Sequence, residues 1–89
     1  MEETYLIYGI SDCPACLRAQ ADLMDLGLEY VFIEMDFSKS YREAIKEELG
    51  HSTFPIILKA SKDGEDLIGG YEDLIAELTG ESRGPTSTT

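Results

Sequence analysis

The chain predicts an α/β fold in the order βαβαββα, a four-stranded mixed sheet flanked by three helices. Three observations lead there. Short apolar runs containing β-branched residues alternate with segments whose apolar residues recur every three or four positions. Glycines close those segments, and the stretch SKDGE separates the last two strand-like runs as a tight turn would. The 89 residues, 43% of them hydrophobic, suffice for one small core. A chain of this size buries only ~60–65% of the surface its unfolded form exposes.

Thr4 to Gly9, TYLIYG, reads as a buried strand ended by glycine. From Pro14 the period changes. Leu17, Ala21, Met24 and Leu28 fall at i, i+4, i+7 and i+11, with Leu23 and Leu26 widening the stripe. This is a helix with that stripe as its expected apolar face, stopped by Gly27 in the C′ position. Pro14 suits its first turn, where the missing N–H would have no partner in any case. Glu29 to Met35 returns to strand composition. Ser38 caps a second helix with Tyr41, Ala44, Ile45 and Leu49 on its apolar side and Gly50 at its end. Phe54 to Ala60 is a third strand, Ser61 to Glu65 a turn, and Asp66 to Ile68 a short returning strand. Gly69 and Gly70 lead into a last helix carrying Tyr71, Leu74, Ile75 and Leu78, closed by Gly80. One domain over residues 1–80 is expected, followed by a disordered tail over 81–89, which has no apolar residue to bury.

Seven basic against eighteen acidic residues give a net charge of -11. That balance opposes binding to nucleic acid and to anionic membrane surfaces, both of which demand Lys and Arg. No apolar run approaches the ~20 residues that span a bilayer. Met1 is followed by Glu2 and Glu3 rather than by the basic start of a secretory signal, so a cytoplasmic protein is expected.

The chemistry gathers at SDCPACLRAQ, Ser11 to Gln20, which holds the only two cysteines of the chain. Three roles compete for Cys13 and Cys16. A structural disulfide over so short a loop removes little unfolded-chain entropy. A zinc site wants four ligands, and only His51 and carboxylates remain to join the thiols. Redox exchange fits the local physics better. At a helix start, unpaired N–H groups and the helix dipole stabilise a thiolate at Cys13, and a thiol one turn on resolves a mixed disulfide. A CxxC alone would be weak, but one between a strand and a helix points to redox chemistry.

From about Thr4 to Leu78 the chain resembles a glutaredoxin of the dithiol, CPxC type. Four pieces carry the resemblance: YGISDCPAC after the first strand, TFP at Thr53 to Pro55, the pair Gly69-Gly70, and YEDL after it. Short acidic members of the family occur in viruses. The resemblance implies a thioredoxin-like fold and a glutathione-dependent thiol–disulfide oxidoreductase, with glutathione as co-substrate and no metal. It makes Cys13 the nucleophile and Cys16 the resolving thiol. Pro55 becomes the cis-proline facing them, and Phe54 offers its backbone to an extended substrate. Ser11, Thr53, Gly70, Tyr71 and Glu72 complete the implied glutathione contacts. Helix N–H groups at Tyr71 and Glu72 suit the γ-glutamyl carboxylate, and the Glu72 carboxylate suits its ammonium. The same resemblance implies a monomer acting on disulfide-containing proteins, ribonucleotide reductase among them.

Departures from the family pattern bear on glutathione rather than on exchange. Ile10 stands where a lysine is common, Asp12 opposes the thiolate, and Arg18 is the nearest compensating cation. His51 and Ser52 replace a basic or amide group before the TFP segment, and Ala15 replaces an aromatic residue. Two other functions keep the fold. One is a redoxin reduced by thioredoxin reductase. The other is an iron–sulfur carrier, which Pro14 disfavours.

Overall fold

A computed structural model of the protein describes residues 3–80. The expected tail over 81–89 lies outside the described residues. Strand β1 (Thr4–Gly9) sits inside the sheet because both of its faces are apolar. Its neighbours are β2 (Tyr30–Glu34), parallel to it, and β3 (Ile56–Ser61), antiparallel. A tight turn at Lys62 and Asp63 returns β3 into β4 (Gly64–Gly69), giving the order β2-β1-β3-β4. Tyr5 pairs with Tyr30 on one side and Lys59 on the other, and this register aligns the C-terminal ends of β1 and β2.

Helices α1 (Pro14–Asp25) and α3 (Tyr71–Thr79) cover one face of the sheet. There Tyr5 and Ile7 of β1, Ala19 and Leu23 of α1, Ile57, Ile68 and Leu74 form one apolar cluster. Helix α2 (Lys39–Leu49) covers the other face, where Ile45 meets Met35, Ile56 and Leu58. The alternation of Ile56 and Ile57 between the clusters is the pleat of β3 at work. Ser38 caps α2 by accepting from the Tyr41 N–H at 3.1 Å, as its position before the helix predicts. Among the described residues no helix is long and apolar enough to cross a membrane.

The largest departure from the sequence reading concerns α1. The stripe Leu17, Ala21, Met24 and Leu28 points to solvent, with Leu17 61% and Met24 63% exposed. The buried line is instead Cys16, Ala19 and Leu23. Two apolar stripes share this helix, and a 3.6-residue period cannot say which one turns inward. Close approach to the sheet decides it. A Cβ on Gly9 would stand 2.7 Å from the Cys16 sulfur, so glycine there and small residues on α1 let helix and strand nest. Two boundaries shift by two residues. Strand β3 starts at Ile56 rather than Phe54, since Pro55 has no N–H for the ladder. Strand β4 begins already at Gly64, and a register shift opposite Ile57 and Leu58 turns Ile68 into the core.

Candidate functional site

The end of β1 delivers the chain to the first turn of α1, and Cys13 is its N-cap residue, in extended conformation. The Cys16 N–H donates to the Cys13 sulfur at 3.1 Å. A sulfur thus does what a Ser or Asp oxygen does at other helix starts, and the helix N–H groups favour negative charge on it. Cys13 and Cys16 are joined as a disulfide, with their Cα atoms 5.2 Å apart. Their environments differ. Cys16 is 0% exposed, sealed against Gly9 and the sheet, whereas Cys13 keeps 9% of its surface. Only Cys13 can be approached from outside.

Beside this turn lies a cavity of about 380 Å³. Its walls include Thr53, Phe54, Pro55, Gly70, Tyr71 and Glu72, six of the residues expected at the site, together with Ala15, Arg18, His51 and Asp73. The Phe54–Pro55 peptide is cis, in agreement with the expectation for Pro55. A larger hollow of about 470 Å³ at the end of α2 shares only His51 with it and holds no expected site residue, so it is not assigned to the redox chemistry.

Glycine and aspartate build the α3 wall. The Gly70 N–H donates to the Asp73 carboxylate at 3.0 Å, which makes Asp73 a helix-start residue, as its sequence position suggests. Gly69 has φ +122, and a Cβ on it would collide with that carboxylate. Gly70 is the N-cap and has no side chain to cap the next N–H groups of α3, which border the cavity. Tyr71 lies between the core and the cavity. Its ring packs on the α1 and α3 cluster, and its residue also lines the cavity. The Tyr71 hydroxyl donates to Asp22 at 2.7 Å, and this bond raises its pKa.

Ser11 stands apart from the cavity wall. Its backbone N–H donates to the Asp36 carboxylate at 3.0 Å, tying the loop before Cys13 to the end of β2. The Ser11 hydroxyl and N–H hold the Asp36 carboxyl below the usual range, while the hydrogen bond that the Glu34 carboxyl donates to Asp36 raises Glu34. Arg42 clamps the segment after β2 by donating to the Met35 and Asp36 carbonyls at 3.0 and 3.1 Å. Asp22 and Asp36 are supports that sequence reasoning missed. Each lies tens of residues from its partner, and no local pattern links Asp22 with Tyr71 or Asp36 with Ser11. Among the described residues no three His, Cys, Asp or Glu side chains converge as a metal site.

The glutaredoxin family model matches residues 5–62. No curated protein matches the sequence. Among solved structures, the solution structure of a glutaredoxin from Brucella melitensis is 33% identical, with 88% of this chain and 82% of that one covered and a TM-score of 0.68. The crystal structure of a wheat glutaredoxin is 27% identical over 84% of this chain and 70% of that one, with a TM-score of 0.71. A crystal structure of a buckwheat glutaredoxin–glutathione complex shares the fold at 22% identity, covering 88% and 71% of the two chains with a TM-score of 0.69. With a thioredoxin-like sheet, a CxxC pair at a helix N-terminus and these likenesses, the chain belongs to the glutaredoxin family and is a thiol–disulfide oxidoreductase.

Proposed function

We propose that the protein reduces protein disulfides and glutathione mixed disulfides, with glutathione as its reductant. The observation that carries this reading is the convergence of Thr53, Phe54, Pro55, Gly70, Tyr71 and Glu72 on one cavity beside Ala15 of the CPAC turn. Its size and its mixed walls suit a short peptide rather than a bulky cofactor. The backbone at Phe54 pairs with the extended tripeptide, the N–H groups opening α3 take its γ-glutamyl carboxylate, and Glu72 takes its ammonium. Arg18, on the same wall, supplies the cation that Ile10 cannot. The buckwheat protein of the same fold is a glutathione complex, which supports the choice of ligand.

The Cys13 thiolate attacks a mixed disulfide at the glutathione sulfur. A Cys13–glutathione bond forms and the target thiolate leaves. A second glutathione thiolate then takes the first as oxidised glutathione and returns Cys13 to the thiolate. With a protein disulfide, Cys13 is joined to the target, and Cys16 loses its proton and displaces the target as a thiol. The resulting Cys13–Cys16 disulfide is the bonded state described above. Two glutathiones reduce it. This reading places a monomeric domain over residues 1–80 in the reducing cytoplasm, with ribonucleotide reductase among the disulfide partners to be tried.

One observation favours a second reductant. Ile10 packs against the cluster of Met35, Ile45, Ile56 and Leu58 on the α2 face, so the position where relatives carry a lysine offers no cation. A redoxin fed by thioredoxin reductase would not need one. Turnover of a glutathione mixed disulfide coupled to glutathione reductase, run beside the thioredoxin reductase system, separates the two. Turnover with the thioredoxin reductase system alone would overturn the glutathione reading.

A further inference from the structure

Among the described residues, nothing covers the apolar outward face of α1. Leu17, Ala21 and Met24 follow one another at helical spacing, opposite the buried line of Cys16, Ala19 and Leu23. Burial in this fold does not require them, and they line up at helical spacing rather than standing singly. The stripe begins beside the redox turn, because Leu17 donates its N–H to the Cys13 carbonyl at 3.2 Å. A partner lying on it therefore extends toward the Cys13 turn.

Size and charge identify the partner. Leu17 and Met24, each about three-fifths exposed, with Ala21 between them offer roughly 200–300 Å². That is well short of the ~800 Å² per partner that a stable complex buries, and it suits the small interfaces of transient redox encounters. A second copy is disfavoured further by the charge of -11 that each molecule carries. Residues 81–89 have no apolar side chain with which to cover the stripe. Asp25 lies four residues past Ala21 and Asp12 stands before the helix, with Arg18 the single base between Asp12 and Glu29; Asp22 and Glu29 in the same stretch accept from the Tyr71 and Thr4 hydroxyls. We infer that this face docks the protein whose disulfide is presented to Cys13, through an apolar segment of that protein flanked by Lys or Arg. The inference rests on protein disulfides being substrates.

The test uses the reduced full chain and a synthetic helical peptide with leucines at every third or fourth position, lysine flanks and one cysteine as its mixed disulfide with thionitrobenzoate. The Cys13 thiolate attacks the peptide sulfur, thionitrobenzoate leaves and absorbs, and Cys16 then displaces the peptide thiol. Half-saturation should fall at about tenfold lower concentration for this peptide than for versions with serine in place of leucine or glutamate in place of lysine. The double variant Leu17→Ser/Met24→Ser should lose that preference while releasing thionitrobenzoate from its mixed disulfide with the single amino acid cysteine at an unchanged rate. Ala21→Lys should weaken the lysine-flanked peptide and favour the glutamate-flanked one, which separates docking from any loss of folding in the double variant. Equal half-saturation for leucine and serine peptides, or an unaffected double variant, would overturn the docking surface alone. No release from the cysteine–thionitrobenzoate disulfide would overturn the oxidoreductase reading and the docking with it. A concentration-dependent dimer in sedimentation that the double variant abolishes would assign the face to a second copy instead.

Discussion

At the scale of single residues, the two cysteines differ in one decisive respect. Cys13 is an N-cap sulfur receiving the Cys16 N–H at 3.1 Å and keeps some accessible surface, whereas Cys16 is fully enclosed. Substitution should separate them. Cys16→Ser is expected to retain turnover of glutathione mixed disulfides, because external glutathione replaces the resolving thiol. It should accumulate mixed disulfides with protein targets, visible by mass spectrometry. Cys13→Ser should lose both activities by at least a hundredfold, since the remaining sulfur cannot be reached. Equal residual turnover in the two variants would contradict the assignment. The cysteines were legible from residue type and spacing, and Pro55 only through the family resemblance of the TFP piece. Ser11 was legible as a neighbour of the site but not as a strut, since its partner Asp36 is brought there by the parallel pairing of β1 with β2.

At the scale of elements, α3 must be held against the sheet for its first turn to wall the cavity. Lys59 on β3 and Glu77 on α3 form an ion pair across that junction, and both side chains are mostly covered. The hydrogen bond to Glu77 raises the Lys59 pKa, against a smaller opposing effect of burial. A raised pKa means that the folded state holds the proton more tightly. The contribution of Lys59 is therefore complete below the unfolded value of ~10.4 and is lost as pH rises through the folded value. Between neutral pH and pH 9 the pair should leave stability flat, and above about pH 10 the melting temperature should fall. Glu77→Gln should cost ~0.5–1 kcal/mol, a few degrees in melting temperature, and should remove the Lys59 share of that alkaline decline, leaving the share of Tyr5, Tyr8 and Tyr71, whose raised pKa values act over the same range. Melting curves across the alkaline range check both statements.

At the scale of the whole molecule, a small core leaves little margin, so the orientation of each helix matters to stability. Leu23 is fully buried in the cluster between α1 and the sheet, and Met24, the next residue, is mostly exposed. Leu23→Ala should cost ~2–5 kcal/mol, which lowers the melting temperature of a domain this size by ten degrees or more. Met24→Ala should stay within ~0.5 kcal/mol. The reverse order in chemical denaturation would show that α1 is rotated about its axis. The sequence alone would have placed Met24 on the inward stripe and Leu23 at its edge. Both stripes satisfy the helical period, and only the fit of Cys16 against Gly9 distinguishes them.

Local chemistry settled much of this protein in advance. Glycine and serine ended and began the helices because their backbone and side-chain properties act within a few residues. The CPAC turn found its helix N-terminus for the same reason. The order of elements followed from composition that changes over short windows. What required the tertiary structure was every relation between distant segments: the inward face of α1, the Tyr71–Asp22 and Ser11–Asp36 bonds, and the meeting of Thr53–Pro55 with Gly70–Glu72 around one cavity. Propensity and periodicity are properties of neighbours along the chain, whereas packing is a competition among surfaces. The face of a helix that wins is the one whose side chains let it approach the sheet most closely.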